Sequence, residues 1–153
     1  MVIGIIGESC TGKSTLADKL RTELGAQVYT GKDYLRLAKS ESMARNLFQK
    51  KLQEEGKTQH IVYVISEQEH LPLLPEDALR ILVTADLEEI KRRFAARMRG
   101  TLPPPVAAML ERKHDCFDAQ PHDLHIVSGC SDLDAVCAEI RNKLPLKQKN
   151  KRR

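Results

Sequence analysis

A glycine-rich segment near the start of the chain constrains its fold more than any other feature. Residues Gly7 to Thr15 satisfy the pattern G-x-x-x-x-G-K-[ST] and directly follow the apolar run 2–6. In this pattern the glycines let successive main-chain N–H groups turn inward toward phosphate oxygens, and the N-terminus of the next helix adds positive charge. The segment therefore predicts a phosphate-binding loop between a first buried strand and a first helix.

The residue types inside this loop favour binding of ATP and Mg²⁺. We expect the Lys13 ammonium to neutralise charge on the β and γ phosphates, and the Ser14 hydroxyl to coordinate Mg²⁺. Cys10 stands close to a helix N-terminus, where thiols can be reactive, but we interpret it as a small residue that fills the loop. The predicted nucleotide contacts are Gly7, Glu8, Ser9, Cys10, Thr11, Gly12, Lys13, Ser14 and Thr15.

Apolar runs and amphipathic segments alternate along the rest of the chain. Runs rich in Val and Ile predict strands, and segments with apolar residues three or four apart predict helices. Apolar strands separated by helices form parallel sheets covered on both faces, with ligands at the carboxyl ends of the strands. We predict strands at 2–6, 26–29, 60–65, 79–83 and 124–127, and helices at 13–24, 33–53, 86–98, 106–117 and 132–144.

Two of the later segments resemble parts of adenylate and cytidylate kinases. After the second strand, Thr30 and Gly31 are followed by Arg36. The resemblance implies that these residues bind the acceptor, with the Arg36 guanidinium holding an acceptor phosphate. After the fourth strand, Arg93 and Arg97 share one face of a predicted helix because they are four residues apart. The resemblance implies that the catalytic residues are Lys13, Arg93 and Arg97.

The segment 98–112 occupies the place of the lid in these kinases. Gly100 is expected to supply a hinge, and the prolines at 103–105 are expected to stiffen the segment. The resemblance implies that Arg99 and Arg112 reach the substrates when the lid closes. A helix that merely begins at prolines is the alternative interpretation.

The resemblance extends over nearly the whole chain and implies its fold class. It implies a three-layer α/β/α P-loop NTPase fold whose five-stranded parallel sheet has the strand order 2-3-1-4-5. One kinase domain is expected at 1–146, followed by a basic tail at 147–153. The implied activity is transfer of a phosphoryl group from Mg-ATP to a nucleoside monophosphate, by a cytoplasmic monomer or homodimer. The loop 128–131 resembles the loop that borders adenine in these kinases.

The residues alone leave the acceptor open. Asp33 suits a kinase that phosphorylates a metabolite hydroxyl, as shikimate kinases do, whereas Arg36 suits a phosphate acceptor. At the end of the third strand, Ser66 or Glu67 could orient a Mg²⁺-bound water, so Glu67 joins Ser14 as a candidate metal residue. A nucleotide-binding regulator with weak ATPase activity is a further alternative.

Composition argues against several other classes of function. Aromatic residues make up 4% of the chain, which leaves little for a base-stacking surface. The net charge of +4 comes from the tail, because removing its five basic residues leaves 20 basic against 21 acidic ones. Nucleic acid is therefore not an expected partner, although a polynucleotide end kinase helped by the tail stays an alternative. We also expect no membrane association and no histidine-based zinc site.

Overall fold

The computed structural model of this protein describes residues 1–129 and 132–144. The predicted tail at 147–153 and part of the predicted adenine loop, residues 130 and 131, lie outside the described residues. The strands are β1 (Val2–Ile6), β2 (Gln27–Thr30), β3 (Ile61–Ile65), β4 (Leu79–Thr84) and β5 (Leu124–Val127). The α-helices are α1 (Lys13–Leu24), α2 (Glu41–Glu55), α3 (Leu87–Arg97), α4 (Pro104–Lys113) and α5 (Leu133–Lys143). Two 3₁₀ helices lie at Gly31–Leu37 and Gln68–Leu73.

The five strands form one parallel sheet in the order β2-β3-β1-β4-β5, which confirms the predicted fold class. Every residue of β1 and β3 is buried, because these central strands are covered on both faces. On one face, Leu16 and Leu20 of α1 pack with Ile140 of α5. On the other face, Phe48 and Leu52 of α2 belong to the second core cluster. The helices therefore form two layers around the sheet, and the loops after the strands collect at its carboxyl edge.

The predicted helix at 33–53 was wrong, because the structure divides this segment. The first 3₁₀ helix ends at Leu37, and Ala38 is extended, with φ −159° and ψ 163°. A new helix, α2, then begins after Ser40, whose Oγ accepts a hydrogen bond from the main-chain N–H of Met43 at 3.1 Å. A serine in this position satisfies an otherwise unpaired N–H group at a helix start. Ser40 therefore favours a new helix that begins there over the continuous helix that the apolar spacing predicts.

The predicted helix at 106–117 begins and ends earlier in the structure. α4 starts at Pro104, since proline fits the first turn of a helix, where no main-chain N–H donor is needed. The helix ends at Lys113, shortly before Asp115, which has a left-handed φ of 64°. Across the described ranges, no helix combines the length and hydrophobicity that crossing a membrane requires.

Candidate active site

The phosphate-binding loop joins β1 to α1, and its backbone requires glycine at two positions. A Cβ atom on Gly7 would lie 2.3 Å from the carbonyl oxygen of Val83, which belongs to β4 and cannot move without disturbing the sheet. Gly12 has a left-handed φ of 98°, which strains any residue with a side chain. The two glycines of the sequence pattern therefore allow the loop to lie against the sheet and to turn into the helix.

The loop encloses a buried cation at a helix N-terminus. The first main-chain bond of α1 runs from the N–H of Leu16 to the oxygen of Gly12, so the N–H groups of residues 13–15 have no partner within the helix. The Lys13 side chain is buried, and its ammonium donates to the Glu8 carbonyl oxygen and lies 3.5 Å from Thr11 Oγ1. Burial lowers the pKa of Lys13 to about 8. This arrangement of positive groups attracts anions.

A cavity of about 520 Å³ opens beside the loop, on the side of β4 and β5. Its apolar lining comes from the sheet and from α1, and its polar lining comes from the loop, α3 and the turn after β5. A volume of this size suits a small organic ligand. Among the lining residues are Thr11, Gly12, Leu16, Val83, Arg93, Arg97, Ile126 and Ser128.

Both predicted α3 arginines line this cavity, and Arg93 is held in place. Its Nη1 donates to the carbonyl oxygen of Cys10 at 3.0 Å, and its Nε donates to Glu89 at 2.9 Å. Hydrogen bonds from Arg92 and then Arg93 lower the pKa of Glu89 to about 2, so this carboxylate stays ionised. Arg97 is exposed, and its charge adds to the lowering of the pKa of the loop lysine.

Helix α4, which contains most of the predicted lid segment, packs against the loop through an apolar contact that the sequence did not show. Cys10 is 6% exposed and belongs to a cluster with Ile90 of α3 and Leu110 of α4. This burial agrees with Cys10 as a residue that fills the loop. Lys91 of α3 and Glu111 of α4 form an ion pair at 2.6 Å, which joins the two helices at their surface. The predicted lid is therefore a helix already packed on α3 and on the loop.

The end of α4 is also joined to the phosphate-binding loop by side chains. The Glu8 carboxylate lies 3.1 Å from His114 Nδ1 and accepts from the main-chain N–H of Asp115 at 3.3 Å. Nearby, Gln68 donates to the carbonyl oxygen of Cys116 at 2.8 Å. The five histidines show no metal-ligand spacing in the sequence, and nothing there indicates that the His114 ring meets both the Glu8 carboxylate and the Asp115 carboxylate, which lies 3.3 Å from Nε2. Glu8 and His114 are 106 positions apart, so only the folded chain reveals this contact.

The two predicted metal residues lie in different surroundings. Ser14 is exposed in the first turn of α1, next to the loop lysine. The Glu67 carboxylate is 48% exposed and pairs with Lys113 at 3.6 Å, beyond the end of β3. A metal ion at Glu67 would have to compete with this lysine, whereas Ser14 has no such competitor among the described residues.

The predicted acceptor residues lie beyond β2, on the other side of the loop. Asp33 accepts hydrogen bonds from the N–H of Thr30 at 2.8 Å and from its hydroxyl at 3.3 Å, so it caps its own 3₁₀ helix. The carbonyl oxygen of Gly31 accepts from the Tyr63 hydroxyl at 2.7 Å. Arg36 is exposed and makes no hydrogen bond or ion pair with the residues that the structure describes. The same holds within the described ranges for the predicted lid residues Arg99 and Arg112.

Comparisons with known proteins support the fold. No family model matches the chain, and no curated protein matches it. Solved structures match this chain over nearly its whole length. One is an uncharacterized protein from Eubacterium ventriosum, which is 19% identical and has a TM-score of 0.64. The match covers 93% of this chain and 96% of that chain. A shikimate kinase from Acinetobacter baumannii in complex with shikimate matches with 15% identity and a TM-score of 0.59, and the match covers 94% of this chain and 95% of that chain. A gluconokinase from Sinorhizobium meliloti matches with 11% identity and a TM-score of 0.58, and the match covers 90% of this chain and 87% of that chain. The chain is similar to these proteins in fold, the three-layer α/β/α P-loop NTPase fold with the strand order 2-3-1-4-5.

Proposed function

We propose that this protein is a small-molecule kinase that transfers the γ-phosphoryl group of Mg-ATP to an acceptor. The observation that carries the proposal is the buried Lys13 in a loop that opens into a cavity lined by Arg93 and Arg97. Phosphoryl transfer needs little covalent chemistry from a protein and mostly needs positive charge around the phosphate oxygens. Lys13, Arg93, Arg97 and the N-terminus of α1 supply that positive charge in and beside the loop.

The residues present fit a nucleoside triphosphate and its metal ion. The loop holds N–H groups that have no partner within the helix and a buried ammonium, and the adjoining cavity of about 520 Å³ has an apolar wall for a base. Mg²⁺, when bound, supplies neutralisation of charge on the phosphate oxygens, and the exposed Ser14 hydroxyl is the residue that would hold it. Glu67 stays a weaker candidate because of its ion pair with Lys113.

The chemical step follows from these positions. An acceptor oxygen forms a bond to the γ-phosphorus, the bond from that phosphorus to the β–γ bridging oxygen breaks, and ADP leaves. In this proposal Lys13 and Arg97 stabilise the transferred group, while Arg93, bonded to Cys10, also braces the loop. The proton of a hydroxyl acceptor leaves to a carboxylate such as Asp33 or to water.

A hydroxyl-bearing metabolite is the acceptor class that we favour. The nucleotide cavity lies on the side of β4 and β5, so the acceptor belongs on the side of β3 and β2, where Asp33 lies. The fold also occurs in a shikimate kinase and a gluconokinase. A nucleoside monophosphate is the second candidate, because the exposed Arg36 makes no hydrogen bond or ion pair within the described part of the chain and could bind a phosphate.

The test is production of ADP from Mg-ATP with shikimate, D-gluconate, CMP or AMP, and without acceptor, for the wild type and Lys13→Ala. Turnover that requires one acceptor and falls at least 10²-fold in the variant would support the proposal. Hydrolysis of ATP at the same rate with every acceptor and with none would support the nucleotide-binding regulator instead. Circular dichroism of Lys13→Ala would show whether the loss of activity occurs in a folded protein.

A further inference from the structure

The second 3₁₀ helix, Gln68–Leu73, carries a buried histidine whose hydrogen-bonding capacity is unused. His70 is 1% exposed, and neither of its ring nitrogens has a hydrogen-bond partner among the described residues. Glu69 comes no closer to Nε2 than 3.7 Å, which is longer than a hydrogen bond. A buried polar group without a partner destabilises the folded state, so its presence calls for an explanation.

His70 lies on the acceptor side, next to the first 3₁₀ helix. A Cβ atom on Gly31 would lie 3.8 Å from His70 Cε1 and 4.0 Å from Nδ1. The His70 ring also contacts Tyr34 edge to face, with ring centroids 5.7 Å apart. Gly31 and Tyr34 belong to the same short helix as the predicted acceptor residues Asp33 and Arg36. One segment therefore covers the histidine and also carries the groups expected to bind the acceptor.

Tyr34 anchors the middle of this covering segment in the core, but the rest of the segment has features of a structure that a ligand can rearrange. It is a 3₁₀ helix of 7 residues, longer than the three or four that such helices usually reach. Leu35 is 41% exposed and Leu37 is 38% exposed, and Arg36 between them makes no hydrogen bond or ion pair with the described residues. One side of this segment therefore exposes two leucines to water, and its other side covers a histidine that makes no hydrogen bond with the described residues. Neither side is in its most favourable surroundings.

We propose that His70 binds the acceptor when the start of the first 3₁₀ helix, at Gly31, moves aside while Tyr34 keeps its place in the core, and that the two His70 ring nitrogens hydrogen-bond hydroxyl groups of the acceptor. The inference rests on the proposed kinase function and narrows its acceptor to a polyhydroxyl compound. A neutral imidazole offers one donor and one acceptor. Neighbouring hydroxyl groups can use both, whereas a phosphate dianion, which only accepts, can use the N–H alone. Burial lowers the pKa of His70, which keeps the ring neutral near pH 7.

The kinetic test compares His70→Phe with His70→Gln. Phenylalanine keeps a planar ring but removes both hydrogen bonds, and glutamine keeps one donor and one acceptor. We expect the KM for the acceptor to rise roughly tenfold in His70→Phe and much less in His70→Gln, with the KM for ATP unchanged in both. Because the phenylalanine removes an unpaired polar group, the variant should fold, which thermal unfolding would verify.

His60 provides a matched control for this substitution. It directly precedes β3, so it lies at the opposite edge of the sheet from His70, and its Nδ1 is likewise buried and unpaired. His60→Phe should therefore leave the KM for the acceptor unchanged. An equal rise in His60→Phe and His70→Phe, or no rise in His70→Phe, would overturn the inference while leaving the kinase function intact.

A second measurement does not depend on turnover. Histidine ¹⁵N spectra of the wild-type protein, with a non-hydrolysable ATP analogue, would be followed during titration with shikimate, D-gluconate, CMP and AMP. We expect a hydroxyl compound to shift the ring nitrogens of His70 and to leave those of His60 in place. No shift with either hydroxyl compound, or a shift with CMP or AMP alone, would overturn the inference. Absence of Lys13-dependent turnover would instead overturn the kinase function, and the titration would still decide the role of His70.

Discussion

The two sides of the phosphate-binding loop differ in how particular side chains on them are held. On the side of β4 and β5, Arg93 bonds both Glu89 and the carbonyl oxygen of Cys10, at the wall of a formed cavity. On the side of β3 and β2, Arg36 is exposed without a bond to the described residues, and both nitrogens of His70 are unpaired. We infer that the nucleotide side is organised before binding and that the acceptor side becomes organised by its ligand.

The largest effect is expected on the organised side. Arg93→Ala should lower kcat by roughly 10²-fold, because it removes a charge at the cavity and the bond that braces the loop at Cys10. Arg92→Ala is the matched control, since Arg92 also lines the cavity and bonds the same Glu89 at 3.0 Å, but among the described residues it makes no bond to the loop. Steady-state kinetics with ATP would measure both. Equal losses in the two variants would indicate that neither arginine has a special role and would weaken the contrast between the two sides.

A pH profile tests whether the buried loop lysine sets nucleotide binding. The pKa of Lys13 is lowered to about 8, chiefly by burial and further by the charge of Arg97, while Cys10 and Glu8 act in the opposite direction. The ammonium is therefore lost above pH 8, and kcat/KM for ATP should fall there by about tenfold per pH unit. Stability should change in the opposite direction, rising between pH 8 and 10.5, because the unfolded lysine still holds its proton in that window. A flat kcat/KM from pH 7 to 10 would contradict this role.

The contact of Glu8 joins the phosphate-binding loop to the end of α4, and removing it should have a moderate effect. Glu8→Ala leaves the N–H of Asp115 and the His114 ring without their shared carboxylate, so we expect a loss of about 1–2 kcal/mol in the free energy of unfolding. Glu67→Ala is the control, because its half-exposed pair with Lys113 should contribute about 0–1 kcal/mol. Urea unfolding would measure both, and a larger loss in Glu67→Ala would reverse this ranking.

The smallest effect on stability is expected in the first 3₁₀ helix, Gly31–Leu37, which covers His70. Asp33→Ala removes the carboxylate that accepts from Thr30, and we expect the free energy of unfolding to fall by about 0.5–1 kcal/mol. For a chain of this size that corresponds to roughly 1–4 °C in Tm. Lys32→Ala, an exposed neighbour, should change stability by about 0.5 kcal/mol or less. A loss above about 2 kcal/mol in Asp33→Ala would show that this segment is firmly held, which would argue against its movement.

The sequence by itself determined the glycine-rich loop and the two arginines beside it, because their signals are local. The glycines of the loop and Lys13 lie within nine consecutive residues, and Arg93 and Arg97 lie one helical turn apart. The apolar runs likewise predicted all five strands, since a central parallel strand must be apolar on both faces. These features depend on distances along the chain, which the sequence shows directly.

The tertiary structure alone decided how the acceptor side and the lid are built. The helix break at Ser40 depends on a competition between a cap and an apolar stripe, which are close in energy. The contact of Glu8 with His114, and the placement of His70 next to Gly31, bring together residues from different loops. Such contacts depend on how the loops meet at the carboxyl edge of the sheet, and that geometry exists only after the helices and strands have packed.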